Sequence, residues 1–243
     1  IRSRGLGDVY KRQIDHALLV PSLTDRLLEE GCHLALEFDV ASVCIMPYYT
    51  ARCAEILKGS TVLPSTTIGF PHGGHSASTK LIEAKRAIED GCQELDMVVN
   101  ISQVRSGHWS EVQQEIGSVV EAAHSADRKV KVIFENCYLA DEEKIRLCQI
   151  CGEVNADWVK TSTGFGSGGA TFEDLRLMRH HTPQHVQVKA AGGIRDMDAL
   201  LEARAIGVTR IGSSRTAEIL NACRQRLGLE LLGDPATDTA SGY

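Results

Sequence analysis

From Ile14 onward, short runs of apolar and β-branched residues alternate with longer stretches in which apolar positions recur at helical spacing. The run Ile14-Asp15-His16 is followed by Pro21-Ser22-Leu23-Thr24, a start signal for a helix continuing through Leu36. The pattern then predicts a strand over 42–46, a helix over 50–57 and a strand over 61–68 interrupted only by Pro64. A loop containing Gly69 and Gly74 separates that strand from a helix over 76–89, with a strand over 93–99 and a helix over 110–124 beyond it. The second half repeats the scheme. Strands are predicted over 129–135, 156–160, 185–189 and 208–211, and helices over 141–152, 171–180, 196–206 and 213–227. Eight β-α units in succession predict a TIM (β/α)8 barrel, a single domain over 14–229. The competing fold is a doubly wound open sheet, which usually carries a Gly-rich turn after its first strand; none is present here.

The ends of the chain fall outside this pattern. Residues 1–13 (IRSRGLGDVYKRQ) are basic and aperiodic, resemble an adapter-derived peptide, and are read as a non-native extension. Residues 230–243 are polar and are expected to form a flexible tail.

Composition narrows the function classes. With 243 residues, 43% hydrophobic and 24% charged, the chain suits a globular protein with a sizeable core. A net charge of −6 argues against broad nucleic-acid binding, which needs a basic surface, but leaves room for a local cationic pocket. The eight cysteines are scattered through apolar segments and read as reduced thiols of a cytoplasmic protein. Cys148 and Cys151 have redox spacing, but mid-helix that spacing only places them on one face. No apolar run reaches membrane-spanning length, and no secretory signal is visible.

In a barrel of this kind the active site lies at the C-terminal ends of the strands. Those ends carry Asp15, Cys44, Gly69, Asp96, Glu135, Lys160, Lys189 and Gly212-Ser213. Two lysines therefore converge with carboxylates on one mouth. A buried lysine is costly to keep charged, and a second ammonium nearby lowers its pKa further. The neutral amine attacks carbonyls to form a Schiff base. Lys160, followed by Thr161-Ser162-Thr163, is the better nucleophile candidate, and Lys189 the helper that depresses its pKa. Structural alternatives are an ion pair of Lys160 with Glu135 or Asp96, and phosphate binding by Lys189. Ala190-Ala191-Gly192-Gly193, and Gly212-Ser213-Ser214 leading into a helix N-terminus, suit an anion; plain tight turns are the alternative. His72 and His75 flank two glycines without metal-ligand spacing and read as loop histidines. Trp109 and Trp158 read as packing residues.

The motifs VKTSTGFGSGGAT, VKAAGGIR, ELDMVVN, IDHALL and RIGSSR together resemble the deoxyribose-phosphate aldolase family, over about residues 14–227. The resemblance implies a class I aldolase without metal or other cofactor. Its substrates would be a small phosphorylated sugar and aldehydes: 2-deoxyribose 5-phosphate cleaved reversibly to glyceraldehyde 3-phosphate and acetaldehyde. By motif, Lys160 would be the Schiff-base lysine, Lys189 the second catalytic lysine, Asp96 the proton-relay acid and Asp15 a partner of Lys189 and of a sugar hydroxyl. Thr163, Gly164, Gly192, Gly193, Gly212, Ser213 and Ser214 would form the substrate and phosphate subsite. Cys44 matches a thiol near the site and is read as non-essential. Ala17 stands where the family's usual motif has Thr. The terminal Tyr243 matches a tail tyrosine that reaches the site in some members. The alternatives are another Schiff-base aldolase or isomerase acting on a different phosphosugar, and a non-catalytic sugar-phosphate-binding barrel. A homodimer is the expected assembly by base rate.

Overall fold

The computed structural model describes residues 10–233. Eight parallel strands close into one barrel in sequence order: β1 (Ile14–Leu18), β2 (Ser42–Ile45), β3 (Leu63–Ile68), β4 (Glu94–Val98), β5 (Lys129–Ile133), β6 (Trp158–Lys160), β7 (Gln187–Ala191) and β8 (Arg210–Ser213). β8 returns to β1, with Asp15 opposite Gly212. The expected barrel is therefore the observed fold.

Outside the barrel run α1 (Asp25–Phe38), α2 (Thr50–Ile56), α3 (Ala77–Glu89), α4 (Ile101–Arg105), α5 (Trp109–Ser125), α6 (Asp141–Glu153), α7 (Phe172–His181), α8 (Met197–Ile206) and α9 (Thr216–Arg226). Several start signals act as caps. Thr24, Ser76, Thr171 and Asp196 each accept a hydrogen bond from the backbone N–H three residues on, at 2.9 to 3.3 Å. The last helix differs from its expected start: it opens at Thr216 rather than at Ser213. Ser213 Oγ instead accepts from the Arg215 backbone N–H at 3.0 Å, shaping the turn before the helix. The short α4, capped by Asn100, was not legible, because five residues carry too little periodicity. Among the described residues no helix is long and apolar enough to cross a membrane.

Because strand side chains alternate between faces, each strand contributes to two layers. The outward face is aliphatic: Leu95 and Met97 on β4, Val130 and Val132 on β5, Val159 and Val188 are all fully buried against the helices. The inward face carries the charge described below. Residues just before β1 also rest on the barrel. Arg12 Nη2 donates to the Thr61 carbonyl at 2.9 Å, and the Gln13 carbonyl accepts from the Ile211 N–H at 2.7 Å.

Candidate active site

The inward positions of six strands meet on one ionic cluster. Asp96 on β4 is its centre. Its Oδ2 accepts from Lys160 Nζ and Lys189 Nζ, each at 2.7 Å, and its Oδ1 accepts from Lys131 Nζ at 2.8 Å. Register explains this convergence: Lys160 lies opposite Lys189, and Asp96 opposite Lys131. Asp15 on β1 pairs with Lys189 at 2.6 Å and accepts from Ser42 Oγ at 2.7 Å. Below them, Arg210 on β8 joins Asp15 and Glu94, at 2.5 Å to each, and Glu94 also pairs with Lys131 at 2.6 Å. Trp158 lies under this lower layer, its ring 5.2 Å from the Arg210 guanidinium and 5.8 Å from Lys131 Nζ. Trp158 is thus a packing residue whose partners are cations.

The two lysines are not equivalent. Burial lowers the pKa of Lys160; Asp96 opposes the shift and the Lys189 charge adds to it. Burial also acts against the charge of Lys189, but Asp15 and Asp96 outweigh it and hold that ammonium above its ordinary range. Asp96 sits well below the ordinary carboxylate range, because Lys131, Lys160 and Lys189 overcome its burial. Burial pushes the Cys44 thiol up, so it stays protonated beside the lysines.

Glu135, expected at the same mouth, pairs with neither lysine, although the Lys160 charge still acts on it. Its carboxylate accepts from the Thr163 backbone N–H at 3.2 Å and from Thr163 Oγ1, fixing the loop that follows Lys160. The third carboxylate of the cluster is Glu94 instead.

A cavity of about 550 Å³ opens above the lysines. Asp15, Lys160 and Lys189 lie at its floor, and Asp96 is fully buried just beneath. Ala17 and Cys44 line it as well. All seven candidate subsite residues are brought to this one cavity: Thr163, Gly164, Gly192, Gly193, Gly212, Ser213 and Ser214. Gly192 and Gly193 both have positive φ, and a Cβ on Gly193 would meet the Ala170 carbonyl at 2.7 Å. The glycines thus let the loops after β6 and β7 pack together and turn backbone toward the cavity. Tyr243 lies outside the described residues.

Lys131, Glu94 and Arg210 were missed from sequence, as were the rim arginines Arg195 and Arg215. A signal existed for the first three. Glu94 and Arg210 stand two residues before Asp96 and Gly212, and Lys131 is the inward lysine of the KVKVIFE alternation. Period two puts them under the residues at the strand ends.

Residues 12–212 match the family model described as DeoC/LacD family aldolase. The chain belongs to that family. Within it, the chain is similar to a deoxyribose-phosphate aldolase from Rhodopirellula baltica, 61% identical over 97% of each chain. A deoxyribose-phosphate aldolase from Caldanaerobacter subterraneus subsp. tengcongensis is 46% identical over 88% of this chain and 94% of that one. The tetrameric structure of the deoxyribose phosphate aldolase from Aeropyrum pernix superposes with a TM-score of 0.84, at 28% identity, over 91% of this chain and 94% of its own.

Proposed function

We propose that this family member is a class I aldolase that reversibly cleaves 2-deoxy-D-ribose 5-phosphate to D-glyceraldehyde 3-phosphate and acetaldehyde, with Lys160 as the Schiff-base lysine. One observation carries this reading: the Nζ atoms of Lys160 and Lys189 share a single buried Asp96 oxygen at 2.7 Å each, and only Lys160 has its pKa lowered. One amine is thereby disposed to be neutral and nucleophilic, while its neighbour remains a cation and proton donor.

In the cleavage direction the Lys160 amine attacks C1 of the open-chain aldehyde, and the carbinolamine loses water to give an iminium. The C3 hydroxyl gives up its proton to Asp96, directly or through a water. The C2–C3 bond breaks, its electrons pass to the iminium nitrogen, and glyceraldehyde 3-phosphate leaves. The remaining enamine takes a proton at C2 from the Lys189–Asp96 pair, and water releases acetaldehyde from Lys160. Asp15, 2.6 Å from Lys189, holds that ammonium in place. The positive-φ glycines after β7 and the turn into α9 face the phosphate with backbone donors and a helix N-terminus. Entry of Tyr243 into the site, assembly as a homodimer and a cytoplasmic location belong to this proposal; the eight unpaired thiols support the last.

The test is a deoxyribose-5-phosphate cleavage assay with borohydride trapping and peptide mapping. Reduction in the presence of substrate should add the mass of the reduced adduct to the Lys160 peptide. An adduct at another lysine, or none, overturns the assignment.

A further inference from the structure

Four cations, Lys131, Lys160, Lys189 and Arg210, face three carboxylates, Asp15, Glu94 and Asp96, inside one barrel. With every group ionised the cluster carries one excess positive charge in a region screened from water, and the loss of one proton balances it. Of the four cations, Lys160 is bound by a single carboxylate, whereas Lys131, Lys189 and Arg210 are each bound by more than one. Balance is therefore reached most easily by deprotonating Lys160. Glu94 and Arg210 take part in this balance without lining the substrate cavity.

We propose that Glu94 and Arg210 are positioning residues whose opposed charges set how readily the Lys160 ammonium gives up its proton. The inference rests on the reading of Lys160 as the nucleophile. Lys160 is surrounded by few other titratable groups. Asp96 from β4, Lys189 from β7 and the Cys44 thiol from β2 act on it directly, while Lys131 on β5 joins through Asp96 and Asp15 on β1 through Lys189. β3 presents only the hydroxyls of Ser65 and Thr67, and Glu135 beyond the end of β5, hydrogen-bonded to Thr163, also acts on Lys160 by charge and is the same in every variant below. Removing a buried cation at Arg210 should stabilise the ammonium of Lys160, and removing the anion at Glu94 should destabilise it. At an effective dielectric constant of about 20, one unit charge several ångströms away moves a lysine pKa by about one unit.

The experiment is competitive acetic-anhydride labelling of Lys160 across pH, read by peptide mass mapping, on the wild type, Glu94→Gln, Arg210→Met and the double variant. This reading of the amine does not depend on turnover. The Lys160 labelling midpoint should fall by about one pH unit in Glu94→Gln, rise by about one unit in Arg210→Met, and return close to wild type in the double variant. Circular dichroism establishes that each variant is folded. If Arg210→Met does not fold, the Glu94→Gln arm, which keeps the shape and a hydrogen-bonding amide, decides alone. An unchanged midpoint, or shifts of the same sign in both single variants, overturns the proposal, because a purely structural role gives no opposite signs. Parallel borohydride trapping on the wild type separates the two claims: absence of an adduct at Lys160 sinks the aldolase assignment, whereas the labelling midpoints still judge the charge balance.

Discussion

The barrel has two buried layers of opposite character built from the same strands. Outside, between strands and helices, Leu95, Met97, Val132, Val159 and Val188 pack against helical residues such as Ile116 and Leu147. Inside, alternate positions on the same strands hold Asp96, Lys131, Lys160 and Lys189. The inner lining of such barrels is usually filled by branched aliphatic side chains. Each apolar side chain in the outer layer contributes about 1.5 to 3 kcal/mol by burial. The inner ion pairs contribute little net stability, because the desolvation of each charge offsets most of its Coulombic gain. Stability and chemistry are thus separated across the thickness of one sheet, and substitutions on either side should affect different properties.

The largest expected effect is on activity alone. Lys160→Met removes the nucleophile, and deoxyribose-5-phosphate cleavage should fall by roughly 10⁴-fold or more. The melting temperature should stay within a few degrees of wild type or rise. Asp96 keeps Lys131 and Lys189 as partners, and a buried cation is replaced by an apolar chain of similar length. A large loss of thermal stability would break the separation of the two layers.

The converse substitution lies one layer out. Ile116→Ala in α5 empties a fully buried aliphatic site and should cost about 2 to 5 kcal/mol in a urea titration. Activity per folded molecule should be unchanged. A kcat that falls with stability would show that the outer layer positions the lysines more directly than the geometry indicates.

A smaller effect is expected at the rim, where the layers end. Gly193→Ala places a methyl group 2.7 Å from the Ala170 carbonyl at a φ of +85°. The stability cost should be about 2 kcal/mol, within the range for backbone strain of this kind. The KM for the phosphorylated sugar should rise about tenfold while that for unphosphorylated deoxyribose stays constant, since one lost charge-assisted hydrogen bond is about 1.4 kcal/mol. Equal rises for both substrates would remove this loop from the phosphate subsite.

The outer layer was the more legible of the two. Alternation with a period of two against 3.6 separates strands from helices, and eight repeats leave little choice of closure, so the barrel follows from pattern alone. The strand-end residues Asp15, Asp96, Lys160 and Lys189 were legible because a charged group at the end of an apolar run is conspicuous. Lys131, Glu94 and Arg210 were not, because near the start or middle of a strand a charge reads as an exposed position. Counting back by two from the strand ends would have marked them as interior, and barrel closure, which pairs Lys189 with Arg210 and returns β8 to β1, makes that placement visible. Glu135 misled for the opposite reason. Its backbone is left-handed, with φ of 58°, so the side chain leaves the strand's alternation and meets Thr163. No periodicity argument registers that turn.

The subtlest test uses an ionisable group on the outer side. His16 stands between Asp15 and Ala17 on β1 but faces outward, with Nδ1 2.8 Å from Thr216 Oγ1 at the start of α9. No carboxylate compensates it, and burial lowers its pKa to about 4. Asp15, one residue away and equally buried, is held in its charged form by Arg210 and Lys189. The same strand thus keeps one titratable group neutral on the outside and another charged on the inside. An unfolded chain takes up a proton on histidine near pH 6.5, whereas folded His16 does so only near 4, so protons favour the unfolded state across that window. Its contribution is fully present above about pH 6.5 and is lost as the pH falls toward 4. Lowering the pH from 7.5 to 5.5 should therefore cost roughly 1 kcal/mol through this residue. His16→Asn retains a polar atom near the Nδ1 position and cannot titrate, so its stability should change less over the same interval. Equal slopes for the two proteins in pH-dependent urea titrations would mean that His16 finds a compensating charge in solution, and the contrast between the two faces of β1 would fail.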